Sequence, residues 1–245
     1  MKKVLMIGIL CLVLLAGCSS SKDDVYLIAT DTAFPPFEYT NDDNEFVGID
    51  VELITTIAER QGFKIELQPV GFSAALASLE SGQAHGLIAG MSVTEARKEK
   101  YDFSDTYFEV YAVVGVKAGS DIKTLEDLRG KNVALKEGTT SADYAESIKD
   151  EYGFTVSYFD SSPVMYQDVE LGNSAACFED EPILEFNIKN GVNLEIMDGV
   201  RVFPTLNAFA VMKGENQELL EKFNAGLKEL KEDGTYDEIV ARHTK

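Results

Sequence analysis

The stretch GLIAGMSVTEAR, residues 86–97, predicts a buried strand, a glycine turn and a helix N-terminus in direct succession. The apolar run of residues 87–89 stops at Gly90, and Thr94 is a typical N-cap residue with an acidic residue directly after it. Such a turn exposes main-chain groups, and the planar guanidinium of Arg97 offers five hydrogen-bond donors beside it. The stretch therefore predicts a carboxylate site, unless Gly90 only makes a turn and Arg97 only pairs with a surface acid.

Predicted strands and helices alternate through the first half of the chain. Strands are predicted at residues 25–30 and 64–69, a helix runs from Asp50 as its N-cap to Gly62, and another helix covers residues 73–79. This alternation is typical of a doubly wound α/β sheet, in which ligands bind beyond the carboxyl ends of the strands.

Several residues of this half are expected at that edge of the sheet because they follow predicted strands. The strand at residues 25–30 runs into a loop whose two consecutive prolines forbid a regular element, so Asp31 and Phe34 lie on a stiff loop. Phe72 opens the helix after the next strand, and residues 90–97 complete the set. These side chains are predicted to converge on one rim.

A long β run at residues 107–116 leads into a second alternation of strands and helices, and another at residues 206–212 leads back out of it. The two runs are predicted to connect two lobes, with residues 25–111 and 208–245 in lobe 1 and residues 112–207 in lobe 2. Bending at both connections would close the lobes over a ligand. The equivalent rim of lobe 2 carries Lys136, Gly138, Thr139, Thr140, Glu179 and Asp180.

The N-terminal residues predict export. Two lysines precede an apolar run at residues 4–15, which is too short to span a bilayer and has the length of a signal-peptide core. The run ends in LAGC, which resembles the lipobox of bacterial lipoproteins. Residues 1–17 are therefore predicted to be a signal peptide, Cys18 a lipidated N-terminus and residues 18–24 a tether anchored to the membrane. An ordinary signal peptide or an uncleaved anchor is the alternative.

Composition argues against several classes of function. The chain has 22 basic and 42 acidic side chains, a net charge of −20, and removing the two leader lysines gives 20 − 42 = −22. This charge argues against nucleic acid and anionic membrane surfaces as partners. Of the three cysteines only Cys177 stays in the mature chain without a lipid, so no internal disulfide is expected. The sequence has no Cys/His cluster for zinc and no phosphate-loop glycine motif, and no metal or cofactor is predicted.

Five motifs occur in the order and at the spacing of a known family. They are DTAFPPFE (31–38), VGID (47–50), GMSVTEAR (90–97), YDFS (101–104) and GTYDEI (234–239). Together they resemble the family 3 solute-binding proteins of polar amino acid ABC transporters, above all the glutamine-binding members. The resemblance implies a periplasmic-binding-protein-like α/β fold with two doubly wound lobes joined by two hinge strands. It further implies a small L-amino acid as ligand, membrane permease subunits as partner, a monomer, and a location outside the cytoplasmic membrane.

The resemblance also implies a role for each residue of the two rims. Arg97 would bind the α-carboxylate of the ligand, helped by main-chain amides at Ser92 and Thr139, because a guanidinium fork and helix-start amides suit an anion. Asp180 would bind the α-ammonium, with the Gly90 carbonyl as a further acceptor.

The remaining implied contacts concern the ligand side chain. Phe34 and Phe72 would form apolar walls, and Asp31 and Lys136 would face the polar end of that side chain. The implied site is completed by Met91, Thr140 and Glu179.

Glu179 departs from the glutamine-binding pattern, which has histidine at this position. A second acid beside Asp180 favours a basic ligand, whereas Lys136 could neutralise Glu179 across the cleft, and the two phenylalanines favour glutamine. The expected order of ligands is glutamine, then a basic amino acid, then another polar one.

Two other functional classes share this fold. Cyclohexadienyl dehydratases resemble these binders and use a cleft carboxylic acid, which Glu179 beside Asp180 could supply. Ligand-sensing domains of receptors also share it, but no membrane segment or signalling module is predicted after the last helix. The expectation is a transport receptor that is not an enzyme.

Overall fold

A computed structural model describes residues 25–202 and 204–244 of the 245-residue chain. The predicted signal peptide (1–17), the lipidated Cys18 and the tether (18–24) lie outside the described residues. Within the described part, no helix is both long enough and apolar enough to cross a lipid bilayer.

Strands and helices alternate as predicted over most of the chain. The strands are β1 (Val25–Thr30), β2 (Tyr39–Thr40), β3 (Phe46–Val47), β4 (Lys64–Pro69), β5 (Gly86–Leu87), β6 (Tyr101–Phe103), β7 (Phe108–Val110), β8 (Ala112–Lys117), β9 (Asn132–Lys136), β10 (Thr155–Phe159), β11 (Ala176–Asp180), β12 (Leu194–Arg201), β13 (Thr205–Asn207) and β14 (Ala210–Met212). The helices are α1 (Ile49–Gln61), α2 (Phe72–Glu80), α3 (Glu95–Lys98), α4 (Thr140–Tyr152), α5 (Ser162–Glu170), α6 (Glu181–Lys189), α7 (Gln217–Asp233) and α8 (Thr235–Thr244).

The first sheet has the strand order β4-β1-β5-β14-β6. Strands β4, β1 and β5 run parallel, and β14 pairs antiparallel with β5 and β6. Helices α1 and α7 cover one face, and the apolar residues of α7, spaced three and four apart, are buried there together with Leu53 and Ile57 of α1. We call this sheet with α1, α2, α3, α7 and α8 lobe 1.

The second sheet has the order β10-β9-β11-β8-β12, with β10, β9 and β11 parallel and β8 antiparallel to both of its neighbours. Helices α4, α5 and α6 pack against it, and we call this unit lobe 2. Each lobe has its own buried core, so the predicted class of two doubly wound α/β lobes is confirmed.

Two short strands connect the lobes. Strand β7 precedes β8, β13 precedes β14, and β7 and β13 pair antiparallel with each other. The long β runs predicted at residues 107–116 and 206–212 are therefore each interrupted, because the chain leaves one sheet and joins another there. The domain boundaries at 111/112 and 207/208 stay a prediction.

Of two helix starts predicted in lobe 1, one is wrong and one is confirmed. Gly48, not Asp50, is the N-cap of α1, and Asp50 lies in the first helical turn, where it is fully buried. The helix start predicted at Thr94 is confirmed, because Thr94 caps α3 by accepting a hydrogen bond from the Arg97 amide, and this helix is short, covering residues 95–98.

Candidate functional site

The rims of both lobes meet in one cleft. Lobe 1 contributes the loop after β1, the start of α2 and the segment between β5 and α3, while lobe 2 contributes the ends of β9 and β11 and the start of α4. The cavity between them is lined by Phe34, Phe72, Ala89, Gly90, Ser92, Arg97, Lys136, Thr139, Thr140 and Asp180. Its volume is about 20 Å³, close to the space of one water molecule, so the lobes must separate before a larger molecule enters.

Arg97 lines this cavity, and its guanidinium binds two main-chain carbonyls and no carboxylate of the described residues. Its Nη1 donates to the Ser92 carbonyl at 2.6 Å, and its Nη2 donates across the cleft to the Gly138 carbonyl at 2.9 Å. Within the described residues it forms no ion pair, and burial lowers the pKa of its guanidinium. Thr139 caps α4 by accepting from the Ala142 amide, and the N-terminal end of this helix opens on the same cavity at Thr139 and Thr140. This corner of the cleft therefore favours an anion.

The main-chain N–H and C=O groups of Ser92 point toward Arg97. Ser92 bridges Asn207 in an antiparallel pair whose hydrogen bonds run from the Val93 amide to the Leu206 carbonyl and from the Ala208 amide to the Met91 carbonyl. In such a pair the N–H and C=O groups of the central residue point away from the partner strand. The Ser92 amide therefore points to the same side as its carbonyl, which binds Arg97.

Gly90 is the residue at which a side chain would block the turn. Its φ is +54°, and a Cβ built there would lie 2.8 Å from Cε1 of Phe34. Its amide donates to Oδ2 of Asp50 at 2.7 Å. The turn is thus held by its hydrogen bond to the buried Asp50 carboxylate and packs against the ring of Phe34.

Asp180 lies across the cavity from Arg97, at the end of β11. Ser141 donates to its Oδ1 at 2.8 Å, and no described residue forms an ion pair with it. Burial, with the neighbouring Glu179 as the second cause, raises the pKa of Asp180 to about 7. A cationic group in the cavity would stabilise the ionised form of this carboxylate.

Asp31 and Lys136 form an ion pair that joins the two lobes. Lys136 Nζ lies 2.5 Å from Oδ2 of Asp31, and each side chain is only 2% exposed. The ammonium also lies 4.1 Å from the ring centroid of Phe34. The alternative in which Lys136 neutralises Glu179 is wrong, because its partner is Asp31.

Asp31, Glu179 and Met91 are predicted site residues that are not among those lining the cavity, although Asp31 is paired with the lining residue Lys136. Both oxygens of the Glu179 carboxylate are bonded inside lobe 2, where Ser162 and Tyr166 donate to Oε2 and the Asp180 amide donates to Oε1. Successive residues of a strand point to opposite faces, so Glu179 and Asp180 cannot both face the cleft. Met91 is buried in the core of lobe 1.

Three residues near the cavity were not predicted from sequence. Ala89 lines it, Ser141 orients Asp180, and Asp50 holds Gly90. Of these three, only Ser141 could have been identified from the sequence, because it directly follows the predicted rim residues Thr139 and Thr140. In the part of the chain that the structure describes, no cluster of three His, Cys, Asp or Glu side chains is arranged to hold a metal ion.

Comparisons with known proteins agree with this geometry. The arginine-binding extracellular protein ArtP of Bacillus subtilis is 29% identical over 226 residues, covering 91% of this chain and 87% of ArtP. An ancestral arginine-binding protein, solved with glutamine bound, aligns with a TM-score of 0.82 at 36% identity and covers 89% of this chain and 97% of its own. Substrate-binding domain 2 of Lactococcus lactis GlnP, solved in an open conformation, is 40% identical over 91% of this chain and 96% of its own, but its TM-score is only 0.61.

The GlnP domain was solved open, whereas the lobes of this chain contact each other through Lys136 and Asp31 and through Arg97 and Gly138. The sequence model of the family described as bacterial extracellular solute-binding proteins, family 3, matches residues 26–245 of this chain. The chain therefore belongs to the family 3 bacterial extracellular solute-binding proteins.

Proposed function

We propose that this protein is the receptor of an amino acid ABC importer and that it closes its two lobes over a polar L-amino acid, with glutamine as the preferred ligand. One observation carries the proposal. Arg97 on lobe 1 and Asp180 on lobe 2 face the same cavity, and neither forms an ion pair within the described residues. A zwitterion supplies both missing partners and thereby draws the lobes together.

The α-carboxylate of the ligand binds Arg97, the Ser92 amide and the first turn of α4. The α-ammonium binds Asp180, whose orientation Ser141 fixes. A micromolar Kd corresponds to about −8 kcal/mol. A few charge-assisted hydrogen bonds at about 1.5–3 kcal/mol each suffice for that affinity.

The ligand side chain extends between Phe34 and Phe72 toward the Asp31–Lys136 pair. This pair has no net charge, and it offers a carboxylate acceptor beside an ammonium donor, which matches the N–H and C=O groups of a carboxamide. A basic side chain would have to compete with Lys136 for Asp31. The expected order therefore remains glutamine, then a basic amino acid, then another polar one.

Calorimetric titration of the protein with the common L-amino acids tests this proposal. We expect heat of binding with L-glutamine at micromolar Kd and weaker binding of L-arginine and L-lysine. If none of these amino acids binds, the receptor function is wrong.

The proposed receptor also has an oligomeric state, a location and a membrane partner. The protein acts as a monomer outside the cytoplasmic membrane, held there by a lipid on Cys18, and delivers its ligand to membrane permease subunits.

It is not an enzyme. Glu179, the residue that favoured a dehydratase, has its carboxylate bonded to Ser162 and Tyr166 outside the cavity.

Lys136→Met is expected to change the ligand preference. Without its partner the buried Asp31 carboxylate needs a cation, so affinity for L-arginine should rise while affinity for L-glutamine falls by about tenfold or more. Titration with both amino acids measures the change, and Lys131→Met removes an exposed lysine of the same lobe as a control. A variant that still prefers glutamine as strongly as the parent would show that Lys136 does not set selectivity.

A further inference from the structure

A pair of carboxyl groups, Glu38 and Asp50, is buried beneath the cleft in lobe 1. Both residues are fully inaccessible to solvent. Treated as carboxylates, they leave three oxygens without a hydrogen-bond partner in the described residues, namely both oxygens of Glu38 and Oδ1 of Asp50. The two side chains are within hydrogen-bonding reach of each other, so one proton between them would satisfy two of these three atoms.

Asp50 links two functional segments through its other oxygen. Oδ2 accepts from the Gly90 amide at 2.7 Å and from the Tyr107 hydroxyl at 2.8 Å. Gly90 is the turn that lines the cavity, and Tyr107 directly precedes the hinge strand β7. Tyr236 of α8 in turn donates its hydroxyl to the Tyr107 carbonyl.

The charges around the pair favour one proton on it. Asp31, Tyr107 and Tyr236 face it from the neighbouring elements and supply no positive charge, and the nearby Lys136 is already paired with Asp31. Two adjoining buried carboxylates without a cation cannot both ionise. Burial, with Asp50 as the second cause, raises the pKa of Glu38 well above its usual range, and burial raises the pKa of Asp50 to about 6.

The hydrogen bonds decide which residue carries the proton. Oδ2 of Asp50 receives two donors, which stabilise a negative charge, whereas Glu38 receives none. Glu38 is therefore the neutral member, and it donates to Oδ1 of Asp50.

We propose that Glu38 and Asp50 share one proton, held on Glu38, and that Asp50 is thereby a positioning residue that fixes the Gly90 turn to the start of the hinge strand. The effect on ligand affinity rests on the proposed amino acid receptor function, but the shared proton and the Gly90 contact do not.

Two isosteric variants separate the roles. Glu38→Gln replaces the protonated acid by a neutral donor, so its ligand affinity should stay within about twofold of the parent, as should that of the control Glu59→Gln on the exposed face of α1. Asp50→Asn replaces the charged acceptor of the Gly90 and Tyr107 hydrogen bonds by a neutral amide, and this substitution should weaken ligand binding about tenfold or more. The Gly90 amide should exchange its hydrogen faster in Asp50→Asn than in the parent or in Glu38→Gln.

Thermal unfolding reports on the proton without any ligand. A group whose folded-state pKa is raised stabilises the fold below its unfolded pKa and loses that contribution as pH rises through the folded pKa. The Tm of the parent should therefore fall more between pH 5 and pH 8 than the Tm of Glu38→Gln.

Parallel Tm curves for the parent and Glu38→Gln would overturn the shared proton. A Glu38→Gln variant that binds as weakly as Asp50→Asn would likewise show that Glu38 is ionised. Unchanged Gly90 exchange in Asp50→Asn would overturn the positioning role. If no amino acid binds the parent, the receptor function fails, yet the Tm and exchange measurements still decide this proposal.

Discussion

We expect Arg97→Ala to weaken the binding of every amino acid ligand, whatever its side chain. The guanidinium is the cavity's cation without a carboxylate partner in the described residues, and its position is fixed from both lobes by the carbonyls of Ser92 and Gly138. Two charge-assisted hydrogen bonds to the ligand carboxylate at about 1.5–3 kcal/mol each predict a loss of affinity of about 100-fold or more. Calorimetric titration measures the loss.

Arg60→Ala provides the matched control for this variant. Arg60 also lies in lobe 1, but it pairs with Asp233 at the surface, where an ion pair contributes little. Its removal should leave ligand affinity unchanged. Unchanged affinity in Arg97→Ala as well would mean that the carboxylate pocket lies elsewhere.

Asp180→Asn is expected to produce the second large effect, together with a loss of pH dependence. The pKa of Asp180 in the unliganded protein is raised to about 7 by burial and by Glu179. A bound ammonium lowers that pKa, so ligand affinity is complete above about pH 7 and falls by up to about tenfold per pH unit as the pH drops through it. The variant should bind weakly, and its affinity should vary much less between pH 5 and pH 8.

Titrations across this pH range, with Asp150→Asn as an exposed control on α4, measure both effects. The control should follow the parent at every pH. A parent whose affinity is constant from pH 5 to pH 8 would contradict the assignment of Asp180 to the ammonium.

Much of the site could be predicted because strand ends are easy to locate in the sequence. The loop after β1, the Gly90 turn and the start of α4 each follow an apolar run, and parallel strands bring their carboxyl ends to one edge. Arg97, Asp180, Phe34, Phe72, Ser92, Thr139 and Thr140 are all found at the cleft for this reason.

The failures at Glu179 and Asp50 have physical causes. Glu179 belongs to the opposite face of β11 from Asp180, and the alternation of faces applies to it only because the strand continues through Asp180. Asp50 is a residue type that favours the N-cap position, but the helix is capped at Gly48, which has a positive φ, and it therefore starts two residues earlier than a cap at Asp50 would allow.

Contacts between the lobes were beyond what the sequence could specify. Asp31 and Lys136 are 105 residues apart and come from different sheets, so their pairing depends on how closely the lobes approach. The same holds for Arg97 and Gly138, which are 41 residues apart. Patterns within one strand or helix carry no information on such distances.

The central claim is that the cleft recognises both charges of an amino acid. The most direct measurement is calorimetric titration with L-glutamine, with its α-amide, which lacks the carboxylate, and with glutaramate, which lacks the α-ammonium. We predict that L-glutamine binds with micromolar Kd and that each derivative binds about 100-fold more weakly or not at all, since each loses its charge-assisted hydrogen bonds. Binding of either derivative as tightly as L-glutamine would contradict the claim.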